Sequence, residues 1–126
     1  MYDKALAAEI LEQIITATQT VVERCECVDS VNSLMDTKEG QERLDAICMK
    51  LIAIGESLKN IDKITHGKLL ANYPQIEWKK IKGIRDVISH HYFDLDAEII
   101  YSVCKEHIKP LLDTLRLVLS DVQKSK

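Results

Sequence analysis

Apolar residues recur along this chain at the three- and four-residue steps of an α-helix, in long stretches separated by short polar breaks. Over residues 3–26, Leu6, Ile10, Ile14, Ala17 and Val21 lie on one stripe and predict a first amphipathic helix. Val28 to Thr37 mixes turn formers with isolated apolar residues and reads as a connection, with Asp36 or Thr37 placed to cap the next helix. From Lys38 to about Lys63 the longest pattern runs through Leu44, Ile47, Cys48, Leu51, Ile54, Leu58 and Ile61. Gly55 interrupts it at a cost of about 1 kcal/mol relative to Ala, which implies that a neighbouring backbone comes close there.

Thr65, Gly67 and Pro74 then punctuate a short segment, with Lys68 to Tyr73 predicting a brief helix that must end before the proline. Ile81, Ile84 and Ile88 predict a further helix from about Trp78 to Ser89. A last one starts near Leu95, capped by Asp94 or Asp96, and runs through Ile99, Ile100, Val103, Ile108, Leu111, Leu115 and Val118. Pro110 lies inside that pattern, removes a backbone donor and clashes with the preceding turn, so a kink or break is expected. The expected architecture is an all-α, up-and-down bundle of four or five helices forming a single domain over 1–126.

Composition narrows the picture without changing it. At 126 residues, 46% hydrophobic and with 4 Gly and 2 Pro, the chain can build a core without disulfides or a structural metal. Disordered, collagen-like and disulfide-scaffold classes are excluded, as is a sandwich of many short strands. No apolar run approaches the roughly 18 residues needed to span a bilayer, and the N-terminus carries Asp3 and Glu9 where a signal peptide would be basic. A cytoplasmic protein is expected. Cys25, Cys27, Cys48 and Cys104 lack Cys-x-x-Cys spacing, so they read as ordinary reduced core or surface residues and no metal site is expected.

Charge is unevenly spread. Against a net −3 overall, the stretch Lys59 to Arg85 holds seven cations and two anions, a local +5 that leaves −8 for the rest. Lys79, Lys80 and Lys82 stand immediately before the most polar helix end in the chain, as a surface for a phosphate backbone would. Lysines on a merely solvated face give the same pattern.

The candidate chemistry lies in Gly83-Ile84-Arg85-Asp86-Val87-Ile88-Ser89-His90-His91-Tyr92-Phe93. On one helix Asp86 and His90 are neighbours four apart, and an Asp that accepts a hydrogen bond from one imidazole nitrogen leaves the other free to act as a general base. A guanidinium such as that of Arg85 offers a planar fork for phosphate oxygens. Arg and His near a helix end also serve simply to offset the helix dipole. His91 continues the Ile81, Ile84, Ile88 stripe and reads as packing.

Taken together, Leu51-Ile52-Ala53-Ile54-Gly55-Glu56-Ser57, Tyr73-Pro74-Gln75-Ile76-Glu77-Trp78-Lys79-Lys80-Ile81 and the Gly83–Phe93 run resemble, in order and spacing, the HepT-like ribonuclease toxins of the HEPN superfamily. The resemblance implies a homodimeric helical bundle in which Arg85 and His90 form a metal-independent RNase site needing no cofactor. It further implies a cognate minimal nucleotidyltransferase antitoxin that transfers AMP to Tyr92. Where relatives often carry Asn after the Arg, this chain has Asp86, which ionised would repel a phosphate, so Asp86 is expected to orient His90 instead. Glu56 belongs to the resemblance without an assigned role. Two other readings stay open: a non-catalytic nucleotide-binding or accessory subunit of a nucleotidyltransferase, which needs Arg85 and Tyr92 but not His90, and a plain helical interaction protein.

Overall fold

The computed structural model describes residues 2–90 and 97–124, with the His90 side chain outside the description. Among the described residues there is no strand. Three long helices supply most of the core: α1 (Lys4–Glu26), α3 (Lys38–Thr65) and α7 (Ile108–Lys124). α1 packs along both α3 and α7, and their apolar stripes meet in a core that includes Leu11, Ile14, Val21, Ile47, Ile54, Leu58, Ile61 and Leu115. The predicted all-α bundle is therefore the observed architecture. No helix among the described residues is long and apolar enough to cross a membrane.

Local chemistry sets the helix ends. The Asp3 carboxylate accepts from the Leu6 backbone N–H at 3.0 Å and caps α1, while the Thr37 hydroxyl accepts from the Gly40 N–H at 2.9 Å and caps α3. The expected connection between them contains a one-turn helix, α2 (Asn32–Met35), because Leu34 reaches back into the core and is fully buried. α3 ends where His66 and Gly67 both take positive φ, at 58° and 72°, and the Gly67 N–H donates to the Asp62 carbonyl at 2.8 Å.

The punctuated segment contains the expected brief helix as a 3-10 turn, Leu70–Asn72. Pro74 lies beyond its end. Tyr73 anchors the segment twice. Its hydroxyl donates to Asp121 at 2.6 Å, and its carbonyl accepts from the indole N–H of buried Trp78 at 2.9 Å. These bonds tie the entry to the next helices to both α7 and the core.

Two expectations need correction. The helix expected from Trp78 to Ser89 is divided at Gly83 into α4 (Trp78–Lys82) and α5 (Ile84–His90). Gly83 adopts φ −89° and ψ 0°; its N–H still makes the last α-helical bond of α4, to the Lys79 carbonyl at 3.1 Å, and the ladder then gives way to a tighter i→i−3 bond from the Asp86 N–H to the Gly83 carbonyl at 3.1 Å. The final helix is α6 (Ala97–Ser102), a π-helical segment (Val103–His107) and then α7. Pro110 has no N–H for the Glu106 carbonyl, and the ladder widens upstream of it, with the Ile108 N–H donating to Val103. The expected irregularity is present, but it precedes the proline.

The cysteines also depart from expectation. Cys25 near the end of α1 and Cys104 in the π segment form a disulfide, their Cα atoms 5.2 Å apart although 79 positions separate them in sequence. Cys27 is free and exposed, and Cys48 is free and buried.

Candidate functional site

The site is organised by one close helix contact. A β-carbon placed on Gly55 of α3 would lie 2.7 Å from the Ile81 carbonyl oxygen and 3.2 Å from Ile84 Cγ2. Glycine therefore allows the α4–α5 junction to rest directly on α3, as its interruption of the apolar pattern implied. Ile88 is buried, and Ile81 and Ile84 pack partly buried against the core, so the expected stripe holds α5 in place.

That contact sets Arg85, in the first turn of α5, beside Glu56, the residue after Gly55. Arg85 Nη1 lies 3.4 Å from Glu56 Oε1, and Lys59 Nζ lies 2.9 Å from Glu56 Oε2. Oε2 has almost no solvent exposure, and the Lys59 ammonium meets it as an ion pair rather than in hydrogen-bond alignment. Lys59 chiefly, with Arg85 assisting, holds the Glu56 carboxyl below the ordinary carboxylate range against the opposing effect of desolvation. The Arg85 side chain is 57% exposed.

Next to this cluster is an open cleft of about 410 Å³ lined by Lys59, Asp62, Lys79, Lys82, Gly83 and Asp86. Lys82 is held by an ion pair with Asp62, and Lys80, outside the cleft lining, pairs with Glu77 at 2.9 Å on the exposed surface. Of the three lysines picked from sequence, Lys79 and Lys82 thus line the cleft and Lys80 points to a local acid. Sequence reasoning counted Lys59 and Asp62 only in the charge balance of the basic stretch and gave neither a place in the site. Their signal was faint: Lys59 stands three positions after Glu56 and Asp62 three after Lys59, a run of neighbours that winds slowly around α3.

Asp86 is exposed and lines the cleft. The His90 side chain, His91 and Tyr92 lie outside the described residues, so the expected Asp86–His90 pairing and the packing of His91 fall outside them as well. The His90 backbone closes α5, five residues after Arg85. Among the described residues no group of three or more His, Cys, Asp and Glu side chains is arranged to hold a metal ion.

This arrangement offers an exposed guanidinium, an open cleft beside it lined by three lysines and two aspartates, and a histidine on the same short helix. Comparison with known proteins agrees in kind. The chain is 28% identical over 109 residues, 86% of its own length and 90% of the relative's, to a "putative RNase" of Caldanaerobacter subterraneus subsp. tengcongensis. It is 28% identical over 78 residues to a "putative RNase" of Methanocaldococcus jannaschii, spanning 62% of this chain and 61% of that protein. It is 32% identical over 66 residues to a "probable ribonuclease HepT" of Thermococcus cleftensis, spanning 52% of this chain and 56% of the relative. No solved structure gives a significant match. The family model described as HepT-like, ribonuclease HepT-like, matches residues 7–118, and the chain belongs to that family.

Proposed function

We propose that this chain is a ribonuclease that cuts RNA by internal transfer at Arg85 and His90. The observation that carries the reading is the placement of the Arg85 guanidinium beside a cleft lined by Lys59, Lys79 and Lys82, on the helix that ends with His90. His90 takes the proton from a ribose 2′-hydroxyl, whose oxygen attacks the adjacent phosphorus as the bond to the 5′-oxygen breaks. Arg85 offsets the charge growing on the non-bridging phosphoryl oxygens. The departing 5′-oxygen receives its proton from water or from a second copy's imidazole. Products end in 2′,3′-cyclic phosphate and 5′-hydroxyl, and DNA lacks the nucleophile. The chemistry asks for no metal, and Lys79, Lys80 and Lys82 serve the flanking phosphates.

In this reading the enzyme works as a homodimer. Met49 is 68% exposed and Ala53 is also exposed, and together they continue the α3 face on which Glu56 stands, leaving an apolar strip beside the site for a second copy. It is the toxin of a pair, silenced by a minimal nucleotidyltransferase that adds AMP to Tyr92. Tyr92 is two residues beyond His90 in sequence, and added phosphate there competes with substrate for Arg85.

The test is cleavage of mixed cellular RNA in excess chelator by wild type and His90→Ala. Cleavage by wild type alone, with DNA untouched and 2′,3′-cyclic ends formed, is the expected result. Equal cleavage by both proteins overturns the role of His90. No cleavage by wild type whose mass shows Tyr92 unmodified favours the accessory-subunit reading, and a silent Arg85→Ala favours a plain interaction protein.

A further inference from the structure

Glu56 has no part in the proton transfers proposed for RNA cleavage, yet it contacts both Arg85 and Lys59, the latter a residue of the cleft lining. We infer that Glu56 is a positioning residue: its carboxylate, shared between Lys59 and Arg85, holds the guanidinium in its working orientation while leaving most of its donors free for the phosphate. The inference rests on the ribonuclease reading.

Three observations carry it. First, Arg85 touches Glu56 through one nitrogen, Nη1, at 3.4 Å, and has no other polar partner among the described residues. A two-pronged pairing would consume the fork that phosphate needs, whereas a single contact steers the group and leaves the remaining donors available. Second, the other carboxylate oxygen is engaged by Lys59 at 2.9 Å, so the negative charge is divided and Arg85 keeps its pull on an anion. Third, the spacing between the two groups is rigid on both sides. Gly55 sets the α3 backbone against Ile81 and Ile84, so Glu56 and Arg85 depart from elements that touch within a residue or two of each. A long, half-exposed Arg side chain with no such restraint spreads over many rotamers, and a misplaced guanidinium costs rate rather than binding.

The experiment has two readouts on the full-length chain. The first is the NMR signal of the Arg85 guanidinium, assigned by its loss in Arg85→Lys, in wild type, Glu56→Gln and Glu56→Ala. We expect a distinct signal in wild type, partial retention in Glu56→Gln, which keeps an acceptor oxygen, and collapse into the free-arginine envelope in Glu56→Ala. An unchanged signal in Glu56→Ala overturns the proposal without reference to activity.

The second is kcat and KM for RNA cleavage. Glu56→Ala should lower kcat by about tenfold to 100-fold with KM within about twofold, and Glu56→Gln should recover part of the loss. In an Arg85→Ala background Glu56→Ala should cost less than about twofold, because it acts only through Arg85. Losses that simply multiply overturn the positioning role. A wild type that cleaves no RNA, with the NMR signals as expected, overturns the ribonuclease reading and the catalytic part of this inference while the contact itself stands.

Discussion

A methyl group at position 55 would reach to 2.7 Å of the Ile81 carbonyl oxygen, and neither the helix that carries it nor the junction it meets can yield independently. Helix propensity favours Gly55→Ala by about 1 kcal/mol, but overpacking of this kind costs roughly 1–3 kcal/mol. Gly55→Ala is therefore expected to be neutral to about 2 kcal/mol destabilised in a urea titration, and to lose far more RNA cleavage than its stability explains, since the shift moves Arg85 away from Glu56. The free cysteines give a second expectation at this scale. Burial first, and then the nearby Asp45, push the Cys48 thiol up to about 11, whereas Cys27 is exposed. At about pH 8 iodoacetamide should label Cys27 in the native protein and leave Cys48 unlabelled, as read by peptide mass. Because the folded thiol titrates above its ordinary 9.0, the stability Cys48 contributes is fully present below pH 9 and is lost as pH rises from there through about 11.

At the scale of elements, the sequence showed the helices well and their interruptions less well. The α3 stripe and the Thr37 cap were legible because period and capping chemistry are local, whereas the α1 stripe was placed to one side at its start: Leu6 is exposed, and Ala7 and Leu11 carry the buried face. The break at Gly83 was hidden because Ile81, Ile84 and Ile88 keep a helical period straight across it. Pro110 announced a disturbance in the last helix, but its form depends on how the upstream carbonyls find donors. A π segment holds one residue more than the α-helix it replaces, so it absorbs that residue locally and keeps the buried face of α6 in line with that of α7, where an unbroken α-helix over the same residues would turn α6 by about 100°. Deleting exposed Lys105 should therefore restore a regular ladder and leave buried Ala97 and Ile100 facing the core. The expected outcome is a cooperative unfolding transition with a midpoint no lower than that of wild type, and Lys105→Ala should behave as wild type.

Across the whole molecule, the candidate site was partly readable from the linear order of residues. Arg85 and the Gly55–Glu56 pair belong to the runs that carried the resemblance, and the basic stretch was legible separately from its charge balance. The pairing of Lys82 with Asp62, and of Arg85 with Glu56, required the packing of α4 and α5 on α3, which joins residues 20 and 29 positions apart. Spacing rules for single helices do not reach that far. Cys25 and Cys104, 79 positions apart, lay further beyond them. Their bond closes the chain into a covalent ring that contains α2 to α6, and with them Glu56, Lys59, Arg85 and every residue of the cleft. A single cut anywhere between Glu26 and Val103 therefore leaves two pieces on one molecule: a protease that nicks the ring opens a loop without releasing a fragment, until a reductant parts them.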